Sequence, residues 1–332
     1  MSHGPVLGRT TRLPEGRWRR REIPVGNSRF DASQDTGTRW GETEFPGNGL
    51  RIRLIAITLM LAMISDSSVG KTPDPPIVFT DVTVASGVDF IETIGDDSMS
   101  NIVESAGVGC GFLDYNSDGW LDIFLVNGRW LEGLSDPTLD PQLRKKLASA
   151  TNRLYRNRRD GTFEDVTVRA GLAHPAYGMG VVVADYDGDG DGDIYVANYG
   201  SNSLYRNNGD ETFTDVSQQA GVDDKGFGVS ALFFDYNQDG WLDLYVGNYL
   251  DYDPNNRLYY APDAFPGPLD YNGQQDKLYR NNGDGTFTDV TQLSGINIQP
   301  TGRAMGVGGF DYDGDGHIDI FVANDAMENF LF

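Results

Sequence analysis

The chain has 332 residues, with 49 Asp/Glu against 26 Lys/Arg and a formal charge of −23 at neutral pH. The imbalance lies in residues 71–332, which hold 16 basic and 42 acidic residues, a net of −26. So acidic a body repels phosphate instead of releasing its counterions, which excludes nucleic acid as a partner. The lone Cys110 excludes an intrachain disulfide and a cysteine-built zinc site, and its Gly-Val-Gly-Cys-Gly setting predicts a small buried residue.

Residues 1–49 show no hydrophobic periodicity and cluster basic residues at Arg17, Arg19, Arg20 and Arg21. They are expected to be a disordered extension, or one left untranslated if initiation falls at Leu50. Arg51 and Arg53 then precede an apolar run, Leu54 to Ile64, with small residues near Ser65–Gly70. The run is short of the roughly 20 residues that cross a bilayer and fits a secretory signal peptide over 50–70. The expected mature chain has no membrane span and is secreted, periplasmic or held at the cell surface. Residues 71–76, Lys-Thr-Pro-Asp-Pro-Pro, form a stiff linker, since proline fixes φ and removes donors.

From residue 77 onward the chain repeats itself, and the repeats govern its architecture. One unit, Phe-x-Asp-Val-[Thr/Ser]-x-x-[Ala/Ser]-Gly, occurs at Phe79–Val88, Phe163–Leu172, Phe213–Val222 and Phe287–Ile296. A second, Leu-Tyr-Arg-Asn, starts at Leu154, Leu204 and Leu278 and leads into a Gly-rich turn. The third is an acidic loop, Asp-Tyr-[Asp/Asn]-x-Asp-Gly-x-x-Asp, at Asp114–Asp122, Asp185–Asp193, Asp235–Asp243 and Asp311–Asp319. Apolar, β-branched runs flank each loop, and Asn-Gly or Asp-Gly supplies tight hairpin turns. The predicted unit is a four-stranded antiparallel meander: strand, acidic loop, strand, Leu-Tyr-Arg-Asn strand, turn, Phe-x-Asp-Val strand.

Successive acidic loops start 71, 50 and 76 residues apart, and the excess is confined to residues 129–151 and 251–275. The first insertion contains a predicted short helix near Asp140, and the second reads as an irregular loop. Loops that lengthen while the scaffold keeps phase are common carriers of recognition. Four-stranded sheets at this period predict an all-β fold, a β-propeller. Phe79–Val88 is a last-strand unit with no strands before it, as in a ring closed by its N-terminal strand. Glu328–Phe332 matches the start of a Leu-Tyr-Arg-Asn strand, so the expected content is three complete blades and a partial fourth, a propeller incomplete at its C-terminus over 77–332.

Oxygen-rich loops of this kind suit a hard cation, above all calcium, at up to four sites. Positions 1, 3, 5 and 9 supply the expected side-chain ligands. These are Asp114, Asn116, Asp118 and Asp122; Asp185, Asp187, Asp189 and Asp193; Asp235, Asn237, Asp239 and Asp243; and Asp311, Asp313, Asp315 and Asp319. Position 6 is Gly for the sharp turn, and position 7 offers a backbone carbonyl. A helical calcium loop ends in Glu at position 12, whereas Asp at position 9 opens an outgoing strand and suits a hairpin. The second and fourth loops carry four carboxylates at these positions and the first and third carry three, which predicts tighter binding at the second and fourth. Tyr115, Tyr186, Tyr236 and Tyr312 recur at position 2 and are expected to pack between blades. Arg156, Arg206 and Arg280 are expected to pair with carboxylates of neighbouring blades.

The three units together resemble the FG-GAP/VCBS repeat proteins. Phrases such as Val103-Glu-Ser-Ala-Gly-Val-Gly109 and Trp241-Leu-Asp-Leu-Tyr-Val-Gly-Asn-Tyr249 are similar to the ASPIC/UnbV, cartilage acidic protein-like, branch. Integrin α-subunit propellers are similar in their calcium hairpins. The resemblance implies a seven-bladed propeller with calcium in its hairpins on an extracellular or surface protein. No Ser-His-Asp set, nucleophilic cysteine or histidine-rich centre stands out in the sequence. The expected role is a non-enzymatic adhesion module for an extracellular protein or glycan. The alternative is a carbohydrate-active lyase or hydrolase, whose acid and base would come from the two insertions.

Overall fold

The computed structural model of the chain describes residues 78–96, 99–107, 109–256 and 265–332. The expected extension (1–49), signal peptide (50–70) and linker (71–76) lie outside the described residues. The described chain is all-β, built from meanders in which strand order equals chain order. The first sheet has β1 (Cys110–Leu113), β2 (Asp122–Leu125), β3 (Arg153–Asn157) and β4 (Phe163–Asp165). The second has β5 (Gly178–Ala184), β6 (Asp193–Asn198), β7 (Ser203–Asn207) and β8 (Phe213–Asp215). The third has β9 (Gly228–Phe234), β10 (Asp243–Asn248), β11 (Lys277–Asn281) and β12 (Phe287–Asp289). The fourth has three strands, β13 (Ala304–Phe310), β14 (Asp319–Asn324) and β15 (Phe330–Leu331). The expected three complete blades and a partial fourth are what the structure contains.

The first strands of neighbouring sheets lie against one another, β1 on β5, β5 on β9 and β9 on β13. Between the sheets run separate apolar layers. Leu113, Phe124 and Leu154 meet Ile194, Val196 and Phe213 across the first gap. Tyr186, Leu204 and Val216 meet Leu244, Val246 and Phe287 across the second, and Phe234, Tyr245 and Leu278 meet Ile320 and Val322 across the third. Every residue of β6 and β10 is buried, which is why those segments read as continuous apolar runs in place of alternation.

The Phe-x-Asp-Val unit departs from the predicted full-length strand. Only Phe-x-Asp is extended; a single helical turn follows, as in α1 (Thr83–Ser86), α3 (Ser217–Ala220) and α4 (Thr291–Ser294); α2 (Pro141–Ala148) belongs instead to the insertion between β2 and β3. The cause is a side-chain relay. Asp165 accepts from the Thr167 N–H and hydroxyl, and the Thr167 hydroxyl in turn accepts from Leu154 N at 2.9 Å. Asp215, Ser217 and Leu204 repeat the relay, as do Asp289, Thr291 and Leu278. Such local capping competes with the sheet ladder and turns the chain into a helix. Phe79–Val88 keeps its helical turn but forms no strand, and Phe79 is 95% exposed where Phe213 is 6%. Gly87 nonetheless approaches the Phe163 carbonyl as Gly171 approaches that of Phe213, so the unit occupies a last-strand position beside the first sheet.

A second recurring lock holds the end of each second strand. The backbone N–H of Asn127, Asn198, Asn248 and Asn324 donates to the side chain of Asn152, Asn202, Asp276 and Asn329 respectively, at 2.8–2.9 Å. The side-chain amides of the same four Asn donate to the carbonyls of Thr151, Ser201, Gln275 and Glu328. The clamp is the same whether 3 or 27 residues separate its partners, which explains how two blades take long insertions without losing phase. In the first insertion, α2 starts at Pro141 with Asp140 capping the N–H groups of Gln142 and Leu143, as its sequence predicts.

Asp276 is the single carboxylate among the four clamp acceptors. It also accepts from the Tyr245 hydroxyl at 2.7 Å, and burial pushes its carboxyl up to about 6. Holding it ionised in the fold costs on the order of 3 kcal/mol relative to water. The contribution of the protonated form is complete below the unfolded value near 4 and fades as pH rises through 6. Asp276→Asn, which installs the residue of the other blades, should therefore stabilise the fold at pH 7.5 and change little at pH 4. Urea melts at the two pH values check this, and equal stability of both proteins at pH 7.5 would contradict it.

Candidate metal centre: four acidic hairpins

Each acidic loop joins the first strand of a sheet to its second, so all four lie at one end of the sheets. Position 1 wraps the loop on itself. Asp114 accepts from the N–H groups of Asp118 and Gly119 at 2.9 and 2.7 Å. Asp185, Asp235 and Asp311 do the same to positions 5 and 6 of their own loops. The position-6 glycines hold φ between +84 and +95, the left-handed turn that the motif requires. Position 5 accepts the position-7 N–H: Trp120 donates to Asp118, Asp191 to Asp189, Trp241 to Asp239 and His317 to Asp315.

Position 9 sits inside the first three sheets, while Asp319 of the fourth is half-buried and accepts from Tyr312 N at 2.8 Å. Asp122, Asp193 and Asp243 are fully buried. Asp193 accepts from Asn207 N at 2.8 Å and Tyr186 N at 3.1 Å; Asp122 and Asp243 bridge the equivalent pairs. Burial pushes Asp193 up to about 7 and Asp122 and Asp243 up to about 6. Asp187, at position 3, is also raised, first by burial and then by Asp189. None of these carboxylates has an ion pair among the described residues, and burial disfavours their charge, with Arg206 offsetting it in part at Asp187.

Two position-3 oxygens test whether the loops fit a cation. Asn116 Oδ1 and Asp187 Oδ1 are buried and have no hydrogen-bond partner. A buried acceptor without a donor costs free energy, and a hard cation satisfies it. Carboxylate oxygens of Asp185, Asp187 and Asp193 gather within 4.8 Å of one another, as do those of Asp311, Asp313 and Asp315. Those are the second and fourth loops, the ones with four carboxylates. In the first and third, the Asn116 and Asn237 amides donate to Asp118 and Asp239 at 3.2 and 2.8 Å.

The first loop contains a feature that its motif does not reveal. Arg159 pairs with Asp118 at 2.8 Å and donates to its carbonyl as well. The guanidinium holds the Asp118 carboxyl below the usual range. Arg159 stands, at φ +66, where the second and third blades have Gly209 and Gly283, and only alignment of the turns would have flagged it. A fixed cation therefore occupies one ligand of the first loop.

The loops also touch one another. The Ser117 hydroxyl donates to Asp191 at 3.0 Å, giving the fifth carboxylate of the second loop an inter-loop role. Gln238 donates to the Gly316 carbonyl at 2.8 Å and lies 3.2 Å from His317 Nδ1. Two of the position-2 tyrosines pack between blades as expected, Tyr115 stacked on Phe213 and Tyr186 on Phe287 at 6.3 and 5.6 Å; Tyr236 is only partly buried against the third-gap layer, and Tyr312 is exposed, contrary to expectation. Asn207 and Asn281 clasp the neighbouring blade by donating to the carbonyls of Tyr115 and Tyr186. Two further expectations change. Arg156 pairs with Glu164 on the adjacent strand of its own sheet, 2.9 Å away, because cross-strand neighbours are closer than the next blade. Cys110 is exposed, since it opens β1, whose neighbour β5 covers one side only among the described residues.

No helix among the described residues is long and apolar enough to cross a membrane. No curated protein sequence matches the chain. One similar solved structure, described as the structural basis of specific recognition of non-reducing terminal N-acetylglucosamine by an Agrocybe aegerita lectin, aligns at 20% identity and a TM-score of 0.31. The alignment covers 63% of this chain and 44% of that one, so the chain spans less than half of that protein's length. FG-GAP-like repeats match at residues 114–196, 185–246 and 262–322, more than half of the chain, and each match contains one or more of the acidic hairpins. With its hairpins, its meander order and these matches in agreement, the chain belongs to the FG-GAP-like repeat family.

Proposed function

We propose that the chain is a secreted or cell-surface binding module of the ASPIC/UnbV type, recognising an extracellular protein or glycan, with calcium as a structural ion in its hairpins. The observation that carries the calcium assignment is the pair of buried, partnerless position-3 oxygens, Asn116 Oδ1 and Asp187 Oδ1, inside loops otherwise built of carboxylates. Asp185, Asp187, Asp189 and Asp193 would hold one ion and Asp311, Asp313, Asp315 and Asp319 another. Asp235, Asn237, Asp239 and Asp243 form a third site, and Asp114, Asn116, Asp118 and Asp122 a fourth in which Arg159 competes. Bound calcium supplies the positive charge that lets these acids remain ionised next to one another. The propeller frame then carries recognition on its loops and does no chemistry itself.

Calorimetric titration of calcium into the protein tests the assignment. The expected order is tight binding at the second and fourth loops, weaker at the third and weakest at the first. Arg159→Gly should raise the affinity of the first loop about tenfold or more, because it removes a competing charge and places glycine where φ is positive. An unchanged isotherm would refute the competition, and a protein that takes up no calcium at all would refute the function.

A further inference from the structure

The end of the sheets away from the acidic hairpins is chemically different. β5 and β9 each have seven residues, so this face stands roughly 20 Å from the hairpins. Both insertions leave from it, after Asn127 and Asn248. Aromatic side chains gather there: half-buried Tyr199 lies 5.1 Å from buried Phe227 and 6.3 Å from half-buried Tyr252, and Tyr252 lies 5.7 Å from buried Tyr271. Beside Tyr199 and Tyr252 is a cavity of about 330 Å³ that includes Lys225, Asp251 and Gln274. A second cavity, about 690 Å³, adjoins it through the shared Asp251 and Gln274 and reaches Thr301 and Arg303. The two make one groove, long enough for an oligomeric ligand.

The polar groups of the groove have unused capacity. Gln274 accepts from Phe227 N at 2.7 Å through its carbonyl oxygen, which leaves its amide N–H groups as donors. Arg303 donates to the Tyr271 carbonyl at 2.8 Å, while its buried Nε has no partner. Across the rest of the body, Arg153, Arg156, Arg158, Arg159, Arg169 and Lys277 are each paired with an acid. Lys225 and Arg303 make no such pair among the described residues, and neither do Arg129, Arg144, Lys145, Lys146, Arg206 and Arg280, so it is their place in the groove that sets these two apart. Lys225 and Arg303 face a single acid, Asp251, in the lining of the two cavities, a local excess of positive charge on an otherwise acidic body that suits an anionic ligand. Flat tyrosine faces with amide and hydroxyl donors at their edge suit the C–H face and hydroxyls of a pyranose ring.

We infer that this groove binds a short acidic oligosaccharide, its sugar rings laid against Tyr199 and Tyr252 and its carboxylates met by Lys225 and Arg303. The inference rests on the binding-module reading and narrows its ligand to uronic-acid-containing glycans. A protein ligand would be expected to need a broader apolar centre than this groove offers.

The test titrates oligogalacturonate, hyaluronan oligosaccharides and neutral cello-oligosaccharides into the calcium-loaded chain, with Lys225→Met, Tyr252→Ser and Arg303→Met alongside. At least one uronate series should bind, weaken with salt and lose tenfold or more in affinity in each variant, while the neutral series binds poorly. Lys225 is exposed, so its variant keeps the fold and remains informative even if Arg303→Met does not. Uronate binding indifferent to Lys225→Met and Tyr252→Ser, a preference for the neutral series, or binding only of a protein partner would each overturn the groove assignment. Calcium uptake, read separately, distinguishes that failure from failure of the binding-module reading: loaded hairpins with no saccharide binding sink the groove alone.

Discussion

Chelation with EDTA should lower the melting temperature by about 5–10 °C for each hairpin that held calcium. The estimate follows from linkage: an ion present at a hundredfold excess over its Kd stabilises the folded form by about 2.7 kcal/mol, and a domain of this size moves roughly 2–4 °C per kcal/mol. The chelated protein should also show an inverted pH response. Asp193 is held up at about 7 and Asp122 and Asp243 at about 6, by burial in each case. A carboxyl whose folded pKa exceeds its unfolded value stabilises the fold below the unfolded pKa, and that contribution is lost as pH rises through the folded one. Without calcium the protein should therefore melt higher at pH 5 than at pH 7.5. With calcium the order should reverse, since protons compete with the ion for the same oxygens. Scanning calorimetry at both pH values, with and without EDTA, decides; no effect of EDTA at pH 7.5 would count against the hairpins as metal sites.

Asp193→Ala should be the most damaging single substitution in the hairpins, costing about 2–6 kcal/mol even in EDTA. It strands the buried N–H groups of Asn207 and Tyr186, and each orphaned donor costs roughly 1–3 kcal/mol. Asp189→Ala, in an exposed part of the same loop, loses only the bond from Asp191 N and should cost under about 1 kcal/mol in EDTA. Both should weaken calcium binding at the second loop. Chemical denaturation in EDTA paired with calcium titration separates the roles: position 9 is frame and ligand together, position 5 ligand alone. Equal costs in EDTA would mean that the buried bonds of Asp193 do not set its importance.

Much of the blade was readable before any coordinates. Asp at positions 1, 5 and 9, Asp or Asn at 3 and Gly at 6 make a local pattern, and local hydrogen bonds and a positive φ at position 6 shape it wherever it occurs. The meander follows for the same reason, as turn chemistry and β-branched runs act over a few residues. The Phe-x-Asp-Val unit was half legible. Its strand was visible, but the relay from Asp215 through Ser217 to Leu204 joins two units thirteen residues apart and converts the remainder to a helical turn.

The clamps of Asn127, Asn198, Asn248 and Asn324 recur in the sequence as plainly as the hairpins. Their partner can lie 27 residues on, however, so adjacency gave no hint of the bond. Taken alone, the sequence determined the repeat, the sheet class and the family of acidic hairpins, because each is written in short-range pattern and composition. Only the tertiary structure decided which acids are buried, that Arg159 enters the first hairpin, and that Tyr199, Tyr252, Lys225 and Arg303 share a groove. Burial and charge pairing depend on which strands become neighbours, and that is set by the stacking of whole blades.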